Sequence, residues 1–146
     1  MANDPRLLYA SVLWETAAAH PVMGVGLGNF ALAGAARVGS LGIMSAHNVW
    51  GAHLVEGGMV GLAILLFLAG AVVRLLWIGL RDGRRAGHPW MIPLAGLSAG
   101  LLAMGLQYLT WGDRFDPYCW FVAALAMLVA GMILKEIRKG CEIAPS

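Results

Sequence analysis

Two stretches of this chain, residues 89–111 and 117–134, contain no Asp, Glu, Lys or Arg, and a third, residues 57–80, contains only Arg74. Nothing else in the sequence restricts the fold so strongly. A helix needs about 20 mainly apolar residues to cross the roughly 30 Å hydrocarbon core of a bilayer, and each stretch is near that length. In lipid, every backbone N–H and C=O must be satisfied within the structure, so such a run is helical. Of 146 residues, 60% are hydrophobic and 12% charged, against about 25% charged in a typical soluble domain. A chain this short has too much surface for its volume to hide that apolar area from water. An ordinary soluble enzyme, a disordered tail and a nucleic-acid-binding module, which needs a basic face, are excluded. The fold expected is all-α and integral to a membrane. About three transmembrane helices are preceded by an amphipathic helix and a Gly-rich periplasmic loop.

The connections between spans are short. Arg81 to His88 is a polar turn with Gly83 and Gly87, and Gly112 to Asp116 is a tight turn before the third span, which is short and recruits Asp116 or Lys135 as a flank. Cytoplasmic segments carry an excess of Lys and Arg. Seven cations (Arg74, Arg81, Arg84, Arg85, Lys135, Arg138, Lys139) fall on one side and three (Arg6, Arg37, Arg114) on the other. This places the C-terminus in the cytoplasm and residues 1–48 in the periplasm of a multi-pass inner-membrane protein. Trp77, Trp90, Trp111, Tyr118 and Trp120 lie near span ends, as in an interfacial aromatic belt. Delivering 48 outward residues without an earlier span is difficult, so the chain is expected to be the tail of a longer protein. Two segments follow: a partial periplasmic loop, residues 1–48, and the membrane helices with a cytoplasmic tail, residues 49–146. Cys119 lies in an apolar run and Cys141 in a polar tail, so both are expected to be free thiols.

The outward segment begins with a helix over residues 5–19. Asp4 suits the N-cap and Pro5 the first helical position. Leu7, Leu8, Val12, Leu13 and Trp14 supply an apolar side, and Pro21 ends the helix at His20. Next comes Gly24-Val-Gly26-Leu-Gly28-Asn29-Phe30. Alternating glycines permit backbone geometry closed to other residues, and successive amides can form an anion nest. A dinucleotide fingerprint needs a preceding strand and a βαβ unit, and neither is present. A tight structural turn is favoured over a phosphate cradle. Residues 31–44 form a loop or short helix, Ser45 is a candidate N-cap, and Gly57-Gly58 kinks or interrupts the following helix.

His47, beside Asn48 at the outer start of that helix, is either an interfacial histidine or a general base toward a hydroxyl. His53 and Glu56 are spaced i,i+3, which is half a metal site. With no second ligand pair, no metal is expected. Glu56 ahead of an apolar span requires a partner, and His53 or a neighbouring arginine would serve. Arg6 and Arg37 are the cations of the outward segment; arginine grips phosphate with a bidentate fork and keeps its charge. Within Asp113, Arg114 and Asp116 the charges are expected to pair with one another.

The ordered set Arg6, Trp14, His20-Pro21, Gly24-x-Gly26-x-Gly28-Asn29-Phe30, His47-Asn48 and Glu56-x-Gly58-x-x-Gly61 resembles the O-antigen ligase family of polytopic membrane proteins. The resemblance covers residues 6–61 in motif and 62–146 in hydropathy. It implies transfer of a glycan from an undecaprenyl-diphosphate carrier to an acceptor such as lipid A-core, another glycan or a protein, with no metal or cofactor required. It implies a catalytic base at His47 and substrate binding through Arg6, Gly24, Gly26, Gly28, Asn48 and Glu56. The implied partners are the bilayer, the lipid-linked glycan, the acceptor and a missing N-terminal membrane half. Arg37 matches nothing in the pattern. Two other readings are a truncated inactive fragment and a small transport or accessory component. A transporter calls for ionisable groups within its spans, and the second and third spans have none.

Overall fold

In the computed structural model, residues 5–38, 49–108 and 117–143 are described, with side chains over 10–35, 49–108 and 118–140. The described residues form five helices: α1 (Pro5–Ala19), α2 (Phe30–Val38), α3 (Val49–Arg85), α4 (Met91–Gln107) and α5 (Pro117–Ile143). The chain divides into two compact units. One comprises Met1–Phe67 with Gln107–Arg114, the other Leu68–Leu106 with Phe115–Ser146. The boundary between these units falls inside α3, and residues 21–30 are bonded to Val55, Glu56, Met59 and Val60 of that helix.

In the first unit, α1 starts at Pro5 and ends at Ala19, as the two prolines dictate. Asp4 lies outside the described residues. Val12, Thr16 and Ala17 are buried, whereas Trp14 is 70% exposed. At about 100° per residue, Trp14 stands on the far side of α1 from Val12 and Thr16. The expected apolar side thus does not form as one buried face. The buried Thr16 hydroxyl donates to the Val12 carbonyl at 2.6 Å, which meets the requirement that a buried polar group be bonded. The core of this unit joins Val12 and Ala17 of α1, Phe30 of α2 and Val55 of α3, with Leu13, Val25 and Leu54 packed against them.

The second unit packs the C-terminal part of α3 with α4 and α5. Its core is Leu76 of α3, Leu94 of α4, and Ala126, Val129, Ala130 and Ile133 of α5. Two glycines one helical turn apart let the backbones approach. A Cβ on Gly79 would stand 3.0 Å from Ala130 Cβ and 3.1 Å from Leu94 Cδ2, and one on Gly83 would stand 3.0 Å from Met91 Sδ. α3 ends in a Schellman motif: His88 N donates to Gly83 O at 2.9 Å and Gly87 N to Arg84 O at 3.2 Å. Gly87 takes the left-handed position, φ 62°, that this motif reserves for glycine. His88 then bridges elements. Its Nδ1 accepts the Trp90 amide at 3.3 Å and its Nε2 lies 2.9 Å from Glu136 Oε2 on α5.

Among the described residues two helices are long and apolar enough to cross a membrane: α3, and residues Tyr118–Gly140 of α5. The expected second span is shorter than its hydropathy implied. α4 has 17 residues, about 25 Å at 1.5 Å per residue. The residues from Pro89 to Trp90 belong to the turn before it, and 109–116 lie outside the described residues.

Candidate functional site

α3 is broken at Gly58, whose φ of 62° and ψ of −162° lie in a region open only to glycine. In an unbroken helix the amides of Met59 and Val60 would donate to the carbonyls of Val55 and Glu56. Here the segment between α1 and α2 takes both halves of those bonds. Met59 N donates to Pro21 O at 2.8 Å and Val60 N to Val22 O at 3.3 Å, while Val25 N donates to Val55 O and Gly26 N to Glu56 O, each at 2.9 Å. Four backbone bonds thus replace two, as the pairing of buried backbone groups requires.

The glycines explain why this docking is possible. Gly24, Gly26 and Gly28 have φ of 69°, 92° and 79°. A Cβ on Gly24 would overlap the carbonyl of Glu56 and stand 2.5 Å from Val55 O, and one on Gly58 would overlap Val22 O. Gly28 has open space around it, so its conformation alone requires glycine.

The side chain of Glu56 completes the junction. It is 4% exposed; its Oε2 accepts Gly28 N at 2.8 Å and its Oε1 accepts Phe30 N at 3.4 Å. Asn29 occupies the cap position of α2, because its carbonyl accepts Ala33 N at 3.0 Å. Its side chain turns back to Val25 O, 3.1 Å away. A carboxylate 26 residues away along the chain from Phe30 therefore accepts the first amide of α2, one of the four at a helix start that lack an intrahelical partner, at the end of α2 where the dipole favours a negative charge.

This geometry revises several expectations. The anion at the loop glycines is Glu56, a group of the chain itself. The amide of Gly24 goes to His20 O, that of Gly26 to Glu56 O and that of Gly28 to the carboxylate. These glycines and Glu56 build the loop rather than present free donors to a phosphate. His53 does not partner Glu56, because its Nδ1 lies 2.8 Å from Val49 O one turn back on its own helix. Arg6 is on α1, its side chain outside the described residues; Arg37 is likewise on α2. His47 and Asn48 lie outside the described residues, directly ahead of Val49 in sequence, and so does the Asp113–Asp116 turn.

No family model, curated protein or solved structure matches this chain. Its chemistry is therefore argued from its own residues. Among the described residues no group of three or more His, Cys, Asp and Glu side chains is placed to hold a metal ion. What the sequence did not single out is the backbone of Pro21, Val22 and Val25, which forms three of the four bonds at the break. Main-chain groups leave no mark on residue type. The only usable signal was a glycine on each side, Gly24 and Gly58.

Proposed function

We propose that this chain is the C-terminal part of an inner-membrane transferase that moves a glycan from a polyprenyl-diphosphate carrier to an acceptor hydroxyl, with residues 1–48 periplasmic. One observation carries the reading. The two glycine-bearing motifs of the O-antigen ligase resemblance, Gly24-x-Gly26-x-Gly28-Asn29-Phe30 and Glu56-x-Gly58, are bonded to one another by backbone and by the Glu56 carboxylate. Their co-occurrence has a physical cause, which supports reading them as one inherited unit. That unit fixes the helix that bears Arg6 to the start of the helix that follows His47-Asn48.

In the proposed reaction, His47 takes the proton of the acceptor hydroxyl while that oxygen attacks the anomeric carbon of the donor sugar. The bond from that carbon to the diphosphate oxygen breaks, and its electron pair leaves with the diphosphate. Arg6 meets the phosphate oxygens with two parallel N–H donors, which disperses the charge on the leaving group. Asn48 orients the acceptor beside the base. Attack opposite the leaving group inverts the anomeric centre. The acceptor class is lipid A-core, another glycan or a protein hydroxyl.

The test is transfer of labelled glycan from a polyprenyl-diphosphate donor to lipid A-core, using vesicles that carry the complete product of this gene. A positioned base contributes roughly 10²–10⁴-fold, so His47→Ala is expected to abolish detectable transfer, with His53→Ala retaining it at matched protein levels. Retention of more than about a tenth of wild-type transfer by His47→Ala overturns the assignment of the base.

A further inference from the structure

The loop between α1 and α2 is chemically unlike a solvated periplasmic loop. Residues 21–36 contain no Asp, Glu, Lys, Arg or His. The loop instead exposes apolar side chains, with Val22 60%, Met23 72% and Leu27 79% accessible. Single exposed apolar residues are ordinary, but a contiguous set marks a surface that meets something apolar. This set is contiguous with the apolar surface of α3. Val22 O accepts the amide of Val60, and Pro21 O that of Met59, so the loop backbone runs beside the residues at which the exposed apolar face of α3 begins. That face continues through Met59, Val60 and Ile64, all exposed.

Irregular backbone in a bilayer is tolerated where its polar groups are satisfied from within the protein. Much of this loop's backbone is satisfied in that way. The amides of Gly24, Val25, Gly26, Gly28, Asn29 and Phe30 all donate to acceptors of the chain itself.

We infer that residues 21–29 sit in the bilayer at the boundary between headgroups and acyl chains, with Val22, Met23 and Leu27 against lipid. The partner is the lipid, because the loop's apolar surface is an extension of the face by which α3 meets the same phase. The inference rests on the reading that α3 crosses the membrane. The loop is then an interfacial wedge anchored by backbone bonds to a membrane helix, and α1 and α2, which it joins, are held at that depth.

Site-directed spin labelling tests this. Cys119 and Cys141 are first replaced by Ala. A nitroxide is then placed at Met23→Cys, Leu27→Cys, Ile64→Cys or Lys139→Cys, in vesicles of phosphatidylethanolamine and phosphatidylglycerol. Collision with dissolved oxygen reports lipid, and collision with a water-soluble nickel chelate reports water. The expected result is an oxygen-to-nickel accessibility ratio at Met23 and Leu27 shifted toward that of Ile64 and away from that of Lys139. A nickel-accessible Met23 and Leu27 with a lipid-exposed Ile64 overturns the proposal and leaves the membrane reading of α3 standing. Labels at Met23 and Leu27 shielded from both reagents also overturn it, because a polypeptide then covers the loop. A nickel-accessible Ile64 overturns the membrane reading itself, and the wedge with it.

Discussion

Gly24 and Gly58 cross at a separation that admits only hydrogen: a Cβ on Gly58 would stand 2.7 Å from the amide nitrogen of Gly24. Both residues have positive φ, so two independent costs fall on any side chain at either position. Left-handed backbone costs an L-residue roughly 1–2 kcal/mol, and forced displacement of packed neighbours adds about 1–3 kcal/mol. Gly58→Ala and Gly24→Ala are each expected to destabilise the first unit by about 3 kcal/mol or more. Gly57 is helical with nothing within 4 Å of its would-be Cβ, so Gly57→Ala is expected to be neutral or to stabilise by up to about 1 kcal/mol. Equilibrium unfolding in detergent micelles measures all three, and equal effects at Gly57 and Gly58 would refute the crossing.

Glu56→Ala leaves the Gly28 and Phe30 amides without their carboxylate acceptor. An unsatisfied buried donor costs about 1–3 kcal/mol, so Glu56→Ala is expected to cost roughly 2–4 kcal/mol for the pair. Glu56→Gln keeps one carbonyl oxygen but loses the charge at the start of α2, a loss of roughly 1 kcal/mol. Hydrogen exchange at Gly28 and Phe30 should accelerate in both variants, and more in Glu56→Ala. Unchanged protection at both amides would remove Glu56 from its capping role.

The second unit offers a packing test that leaves the loop untouched. Gly79→Leu drives a branched side chain into Ala130 and Leu94, and overpacking of this kind costs about 1–3 kcal/mol. Gly70 is exposed, with nothing within 4 Å of its would-be Cβ. Gly70→Leu is expected to change the unfolding midpoint little. Similar midpoints for the two variants would show that α3 and α5 do not approach at Gly79.

In the glycan-transfer assay, Arg6→Lys is expected to weaken use of the diphosphate donor more than Arg37→Lys does. Lysine keeps the charge but loses the planar fork that grips two phosphate oxygens at once. Equal, small losses at both positions would reduce Arg6 to a headgroup contact.

The topology can be checked separately by labelling single cysteines with an impermeant maleimide. Ser40→Cys is expected to react from the periplasmic side and Ser146→Cys to be protected, following the asymmetry of Lys and Arg. The reverse pattern would invert the orientation and place His47 on the wrong side for a periplasmic acceptor.

Where residue type determines backbone, the sequence was easily read. Pro5 and Pro21 bound α1, and Gly57-Gly58 marks the break in α3. Contacts decided by distant backbone were not readable. The spacing of His53 and Glu56 pointed to a pair, yet the carboxylate turns to amides at Gly28 and Phe30, which no side-chain pattern advertises. Hydropathy also counts apolar residues whether or not they are helical. It therefore extended the second span across Pro89 and Trp90, which serve the turn that Gly87 closes. Conversely it ended the third span at Leu134, while α5 runs on to Ile143, because Lys, Glu and Arg are strong helix formers. For the catalytic proposal, sequence order alone brings His47 and Asn48 to the start of α3.

The junction at Gly58 has a mechanical consequence. Its four bonds are main chain at both ends, so no rotamer can lengthen or slacken them. A side-chain bridge behaves as a tether, whereas this one behaves as a rivet. Any sideways push on the Val22 to Gly26 strip reaches the axis of α3 undiminished by side-chain play. A force applied where the loop meets its surroundings is therefore felt first at Val55 to Val60 of α3.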